Sequence, residues 1–268
     1  LDGTLLDAEG NVSERTSTVI RKVLEKYPDL HFVLASGRAR PATMKIREAL
    51  GILDRPNTES ILCNGCIIYD YKGGILWQSI LPKEFVIKAH NLFKTDPTAV
   101  YFYSSGDDAI MFNEKWAKIS NERFQEHTVL LDKEEHIKKV ESGESKINKM
   151  GVVVTEGKDI EKFKPILVGY SKEYNLEYAY STSFFLEFMP PNTHKGTGLD
   201  HLINNLNIKK EEVLAFGDGG NDVDLIKSAG WPVAMENACD ELKAVAKLTT
   251  KSNVKDGVAD MLEKIFLN

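Results

Sequence analysis

The run Gly217-Asp218-Gly219-Gly220-Asn221-Asp222 puts two carboxylates into a glycine turn between an apolar segment, Val213 to Phe216, and an amphipathic one, Asp222 to Ala229. The pattern predicts a strand, a tight turn and a helix. In an open α/β sheet ligands gather beyond the carboxyl ends of the strands, so these acids would face a site. Acids brought together there suit a hard cation held by oxygen, Mg²⁺ above all, which takes one or two carboxylates and completes its shell with waters and substrate phosphate. The competing reading is a solvated turn capped by Asn and Asp.

Other chemistry-bearing residues share the same predicted rim. The opening Leu1-Asp2-Gly3-Thr4 reads as the end of a motif. If an apolar strand runs into Leu1, Asp2 sits at that strand's carboxyl end, on the same rim as Asp218. Ser36-Gly37-Arg38 follows the apolar run His31 to Ala35, and Lys195 opens a helix after Asn192-Thr193-His194. A metal site, a hydroxyl with backbone amides after a strand, and a cation at a helix amino terminus suit transfer of an anionic phosphoryl group.

The elements that must hold these residues follow from periodicity. Ser13 is a helix cap, and Val19, Ile20, Val23, Leu24 and Tyr27 recur at helical spacing before Pro28. The strand at 31–35, a helix over about 42–50 and a strand at 61–63 predict a parallel sheet with helices on both faces. From about Pro82 to Pro190 the strands alternate and stand more exposed: Ala99 to Tyr103, Lys149 to Val154, Leu176 to Tyr180 and Phe184 to Phe188. Polar helices lie between them, near Lys115 to Glu126 and Lys158 to Tyr174. The buried pattern then resumes with a helix over 195–206, strands at 213–216 and 232–234, and helices near 241–246 and 258–266. The expected organisation is an α/β core, Rossmann-like, over 1–83 and 189–268, interrupted by an α+β domain over 84–188.

Composition narrows the class. Lys and Arg number 34 against 40 Asp and Glu, a net charge of −6, which offers no attraction to nucleic acid or anionic lipid. No apolar run approaches the ~20 residues that span a bilayer, and no signal peptide is visible. Three cysteines make no disulfide framework, so a cytoplasmic setting is expected. Cys63-Asn64-Gly65-Cys66 lacks the further ligands that zinc needs and reads as a turn joining two strands. The six histidines show no metal spacing.

Leu1-Asp2-Gly3-Thr4-Leu5, Ala35-Ser36-Gly37-Arg38, Lys195-Gly196 and Gly217 to Asp222 resemble, in order, the four signatures of the haloacid dehalogenase-like phosphatases. Asn64-Gly65, the segment from Leu186-Glu187-Phe188 to Lys195-Gly196, and Val233 to Ala238 are similar to the Cof-type members. The resemblance covers the whole predicted core, and the insert falls where those proteins carry a large (C2-type) cap.

The resemblance implies a nucleophilic aspartate two positions before Asp2, outside this sequence, that forms an aspartyl-phosphate. It implies Asp2 as general acid and base, with its carbonyl as a metal ligand. Ser36, Gly37 and Lys195 would hold phosphoryl oxygens; Gly3, Asn64 and Asn221 would touch the phosphoryl group or substrate. Asp218 would ligate Mg²⁺, and Asp222 would ligate it or orient Lys195. Arg38 stays open between phosphate and a carboxylate brace. The expected activity is Mg²⁺-dependent hydrolysis of small phosphorylated metabolites, sugar phosphates first, then pyridoxal phosphate or nucleotide monophosphates, by a monomer or small homo-oligomer. A hexose-phosphate mutase-like phosphotransferase and a silent phosphate-binding regulatory protein remain alternatives.

Overall fold

The computed structural model describes residues 1–94, 96, 99–153, 160–182 and 185–268. Of the expected element ends, Val154, Lys158 and Phe184 lie outside that set.

Helix α1 (Glu14–Lys26) starts where the Ser13 side chain accepts the backbone N–H of Thr16, satisfying one of the donors that a first turn leaves free. Val19, Ile20, Val23 and Leu24 are its buried stripe. Strand β1 (Leu34–Ala35), helix α2 (Met44–Leu50) and strands β2 (Ser60–Leu62), β3 (Ile67–Tyr69) and β4 (Ile75–Gln78) follow. β1 pairs with β2 in parallel, whereas β2, β3 and β4 form an antiparallel meander. Parallel order therefore stops at β2, because the short Cys63 to Cys66 connection can fold the chain back but cannot make a crossover. The strand expected over 31–35 is confined to Leu34–Ala35.

The middle of the chain carries α3 (Lys83–Phe93), β5 (Tyr101–Ser105), β6 (Asp108–Met111), α4 (Glu114–Phe124), β7 (His127–Leu130), α5 (Lys133–Glu141), β8 (Lys149–Val153), α6 (Ile160–Glu173), β9 (Glu177–Thr182) and β10 (Phe185–Met189). Its strands form one sheet in the order β7-β6-β5-β8-β10-β9. One face carries Tyr101, Tyr103, Met150, Val152, Leu186 and Phe188, buried against Phe85 and Phe93 of α3, Ile137 of α5 and Leu167 of α6. The alternate residues, Phe102, Ser104, Lys149, Phe185 and Glu187, point to the other face, as the two-residue period requires, and line a cleft above the rest of the molecule.

The chain returns with α7 (Lys195–Leu206), β11 (Leu214–Gly217), α8 (Val223–Ser228), β12 (Trp231–Ala234), α9 (Asp240–Val245), β13 (Leu248–Thr249) and α10 (Gly257–Leu262). β11, β12 and β13 are parallel. Their side chains share one core with those of α1, α2, β1 and β2, including Leu6, Ile20, Leu50, Ile61, Leu202 and Ile226. An apolar groove of about 540 Å³, walled by Leu34 and Ile61 on one side and Leu214 and Phe216 on the other, reaches up to Leu1.

Candidate active site

β11 ends at Gly217, and a single 3-10 turn, Gly220–Asp222, leads into α8. The Asp222 carboxylate closes this turn, with Oδ2 accepting the backbone N–H groups of Asp218 (3.2 Å) and Gly219 (3.3 Å). Its Oδ1 accepts Lys195 Nζ at 2.6 Å. Both side chains are buried, 9% and 4% exposed. Burial opposes the charge on Asp222, but the Lys195 ammonium, by charge and hydrogen bond, together with the backbone N–H of Asp218 helps to hold the carboxyl below its usual range. Lys195 is brought there by the start of α7. His194 Nδ1 accepts the Thr197 N–H while Thr197 Oγ1 accepts the His194 N–H, a reciprocal cap that sets where the helix begins.

Asp218 accepts the Thr4 hydroxyl on Oδ1 at 2.5 Å. Burial pushes its carboxyl up and the neighbouring Asp222 charge adds to that, while the Thr4 bond opposes them. Gly3 turns the chain at φ +71°, and a Cβ there would stand 2.2 Å from Asp218 Oδ2. The positive φ favours glycine here, and a side chain would also have to displace the Asp218 carboxylate. The Asn237 side chain donates to the Gly3 carbonyl at 2.8 Å. The Asp2 carboxylate receives Arg38 through Nε (3.0 Å) and Nη2 (2.5 Å). This is the fork geometry of a guanidinium on a carboxylate, and it settles Arg38 as the brace. Burial would raise the Asp2 carboxyl, but the Arg38 hydrogen bonds and charge hold it below the ordinary value.

Ser36 follows β1 and is 3% exposed. Its Oγ accepts the Arg38 N–H at 3.2 Å. Asn64, in left-handed backbone at φ +58°, accepts Asn221 Nδ2 on Oδ1 at 3.2 Å and donates through Nδ2 to Glu187 Oε2 at 2.7 Å. Glu187 also takes Lys149 Nζ, which donates to the Gly37 carbonyl at 2.8 Å.

A cleft of about 260 Å³ lies over these groups. Of the residues singled out from sequence, Asp2, Ser36, Gly37, Lys195, Asp218, Asn221 and Asp222 line it. Gly3 and Asn64 sit behind its wall, bonded to Asn237 and to Asn221. Among the described residues no three His, Cys, Asp or Glu side chains form a metal-binding group. The Asp2 carboxylate is bound to Arg38, both Asp222 oxygens accept hydrogen bonds, and Asp218 accepts the Thr4 hydroxyl. Cys63 and Cys66 are buried, and burial pushes the Cys63 thiol up to about 12. Such a thiol is an apolar filler rather than a nucleophile.

Sequence reasoning gave no site role to Lys149 or to the roof residues Phe102, Trp116, Phe124 and Glu126, and cited Thr4 and Glu187 only within motifs. The available signal was a charge inside an otherwise apolar strand. Lys149 heads Met150-Gly151-Val152-Val153, and Glu187 sits between Leu186 and Phe188. Glu187 pairs with Gly151, so Lys149 lies diagonal to it on the same face.

The fold and site define an α/β protein whose acid-bearing strand ends are roofed by an inserted, mostly antiparallel sheet with one parallel pair, β6 and β7. The model of the haloacid dehalogenase-like hydrolases matches residues 1–262, and the chain belongs to that family. An uncharacterized hydrolase of Schizosaccharomyces pombe is 32% identical over 99% of this chain and 88% of its own length. A Bacillus subtilis phosphatase is 25% identical over 99% and 98%. The crystal structure of a haloacid dehalogenase-like hydrolase from Bacteroides thetaiotaomicron superposes with a TM-score of 0.84 at 26% identity, covering 99% of this chain and 97% of that one. No helix among the described residues is long and apolar enough to cross a membrane.

Proposed function

We propose that this protein is a Mg²⁺-dependent phosphatase of small phosphorylated metabolites, sugar phosphates foremost, working through an aspartyl-phosphate. The observation that carries the reading is the gathering of Lys195, Asp218, Asp222 and the Ser36 loop on one cleft. Its likeness to the B. subtilis phosphatase supports the same reaction class.

Ser36 and the Gly37 amide hold phosphoryl oxygens, and Lys195 neutralises their charge. Asp222 keeps Lys195 aimed. By the family resemblance, the attacking group would be an aspartate immediately before Leu1, where the apolar groove between β1 and β11 reaches. Its carboxylate oxygen bonds to phosphorus as the ester P–O bond breaks, and Asp2, protonated when it leaves the Arg38 fork for the leaving group, gives the leaving oxygen its proton. Water then attacks phosphorus and returns a proton to Asp2. The acyl-phosphate P–O bond breaks, freeing inorganic phosphate and restoring the carboxylate.

A Mg²⁺ ion bound here would neutralise charge on the phosphoryl oxygens. Asp218 fits it as ligand: its charge is disfavoured by burial and by Asp222, and a cation relieves that cost. The Asp2 carbonyl would be a second ligand. Residues 84–188 act as a cap on a core of 1–83 and 189–268, its aromatic walls and Ser104, Ser120 and Glu126 facing the leaving group.

The test is a screen of the full-length protein against phosphate esters with Mg²⁺ and with chelator. Release of inorganic phosphate that needs Mg²⁺ and disappears in Asp218→Ala is expected. Turnover that survives both chelation and that substitution overturns the reading.

A further inference from the structure

We infer that Lys149, on the inserted sheet, is a positioning residue that aims the Ser36 hydroxyl, so that the phosphate loop is completed only when the insert sits on it. The inference rests on the reading of Ser36 as a phosphoryl ligand.

The loop after β1 is held alternately from two sides. On the core side, Asn64 N–H donates to the Ser36 carbonyl (3.0 Å) and Cys63 N–H to the Arg38 carbonyl (3.1 Å). On the insert side, Lys149 Nζ donates to the Gly37 carbonyl (2.8 Å) and Glu126 Oε1 accepts the Ala39 N–H (3.3 Å). Four consecutive residues are therefore pinned in turn by core, insert, core and insert. Taking the insert away frees every second tie.

The Lys149 tie reaches Ser36 through one rigid unit. The Gly37 carbonyl and the Arg38 N–H belong to the same planar peptide. Lys149 fixes its oxygen end by a charge-assisted bond, and its nitrogen end donates to Ser36 Oγ at 3.2 Å. A hydroxyl that accepts this bond keeps its own proton free to donate outward, into the cleft that Ser36 lines. The polarised peptide also makes the Arg38 N–H a better donor.

The charge that makes the tie strong is balanced inside the insert. Lys149 and Glu187 are 5% and 4% exposed, and Glu187 is bound to Asn64 and through it to Asn221 of the acidic loop. The ammonium is thus held where it meets a backbone carbonyl of the core rather than solvent.

The experiment is a double-mutant cycle read by the affinity of the full-length protein for inorganic phosphate. Ser36→Ala and Lys149→Met are each expected to weaken binding roughly tenfold, and the double variant to bind no worse than Ser36→Ala. Losses that multiply overturn the inference, since Lys149 would then act independently of Ser36. Unchanged affinity in Ser36→Ala overturns the phosphate-ligand reading itself. Because Lys149→Met strands a buried Glu187 charge, Lys149→Met/Glu187→Gln is the companion variant. With an unaltered melting temperature it should show the same loss, again absent on the Ser36→Ala background, and full affinity there counts against the inference.

Discussion

Lys195 and Asp222, 27 residues apart, meet at 2.6 Å with both side chains buried, and the second Asp222 oxygen stitches together the loop that carries Asp218. One carboxylate thereby sets both the cation and the shape of the acidic turn. Removing it leaves Lys195 as an uncompensated buried charge, which costs about 3–5 kcal/mol. Asp222→Ala is expected to lose stability of that order, read by chemical denaturation, together with all measurable turnover. Asp222→Asn should recover part of the stability and little of the activity.

Asp218 gives a prediction with the opposite sign for stability. Its carboxyl is pushed up by burial and by Asp222, so its folded value lies above its unfolded one. Such a group favours the fold below the unfolded value and loses that contribution as pH rises through the folded one. Asp218→Asn is therefore expected to melt at a higher temperature than the unaltered protein at neutral pH without divalent cation. Added Mg²⁺ should raise the melting temperature of the unaltered protein and leave the variant unchanged.

The Arg38 fork on Asp2 makes a claim about the pH profile. Arg38 opposes the upward effect of burial and holds the Asp2 carboxyl low. Arg38→Gln should let it rise, so the limb of the kcat/KM profile that reports Asp2 moves to higher pH. A profile that keeps its position in this variant would remove Asp2 from the proton transfers.

Inside the insert, the ring nitrogens of His90 and His136 are buried with no hydrogen-bond partner among the described residues. Glu134 stands 3.8 Å from His90. Burial, with the neighbouring His90 and Lys139 charges, depresses His136 to about 4, and burial lowers His90 despite Glu134. For groups whose folded value is depressed, stability is whole above the unfolded value and is lost as pH falls through the folded one. Thermal stability should thus be flat above about pH 6.5 and drop toward pH 4. His136→Phe, which removes the titrating ring nitrogens and keeps an aromatic ring beside Tyr103, should flatten the drop.

Local order is where sequence was sufficient. Ser13 capping α1, the Asn64-Gly65 reversal, Lys195 opening α7 and the acids after β11 all depend on residues within a few positions of one another. Propensity, caps and glycine turns act over that range. The two alternations, buried strands outside and exposed alternating strands between, also foretold an α/β fold carrying an inserted mixed layer.

What tertiary structure alone decided are the partnerships. Arg38 could meet phosphate or carboxylate, and it chose Asp2 because the first turn and the Ser36 loop end on the same rim. Asp222 could face a metal or a lysine, and the cap of α7 delivered Lys195 to it. Lys149 and Glu187 are charges within apolar strands, and pairing puts both on the face that lines the cleft. In a sheet a slip of one residue sends every side chain to the opposite face, and register across β8 and β10 is set by packing over the whole insert. Spacing along a chain encodes turns and caps; which distant side chains touch is settled only when the layers close.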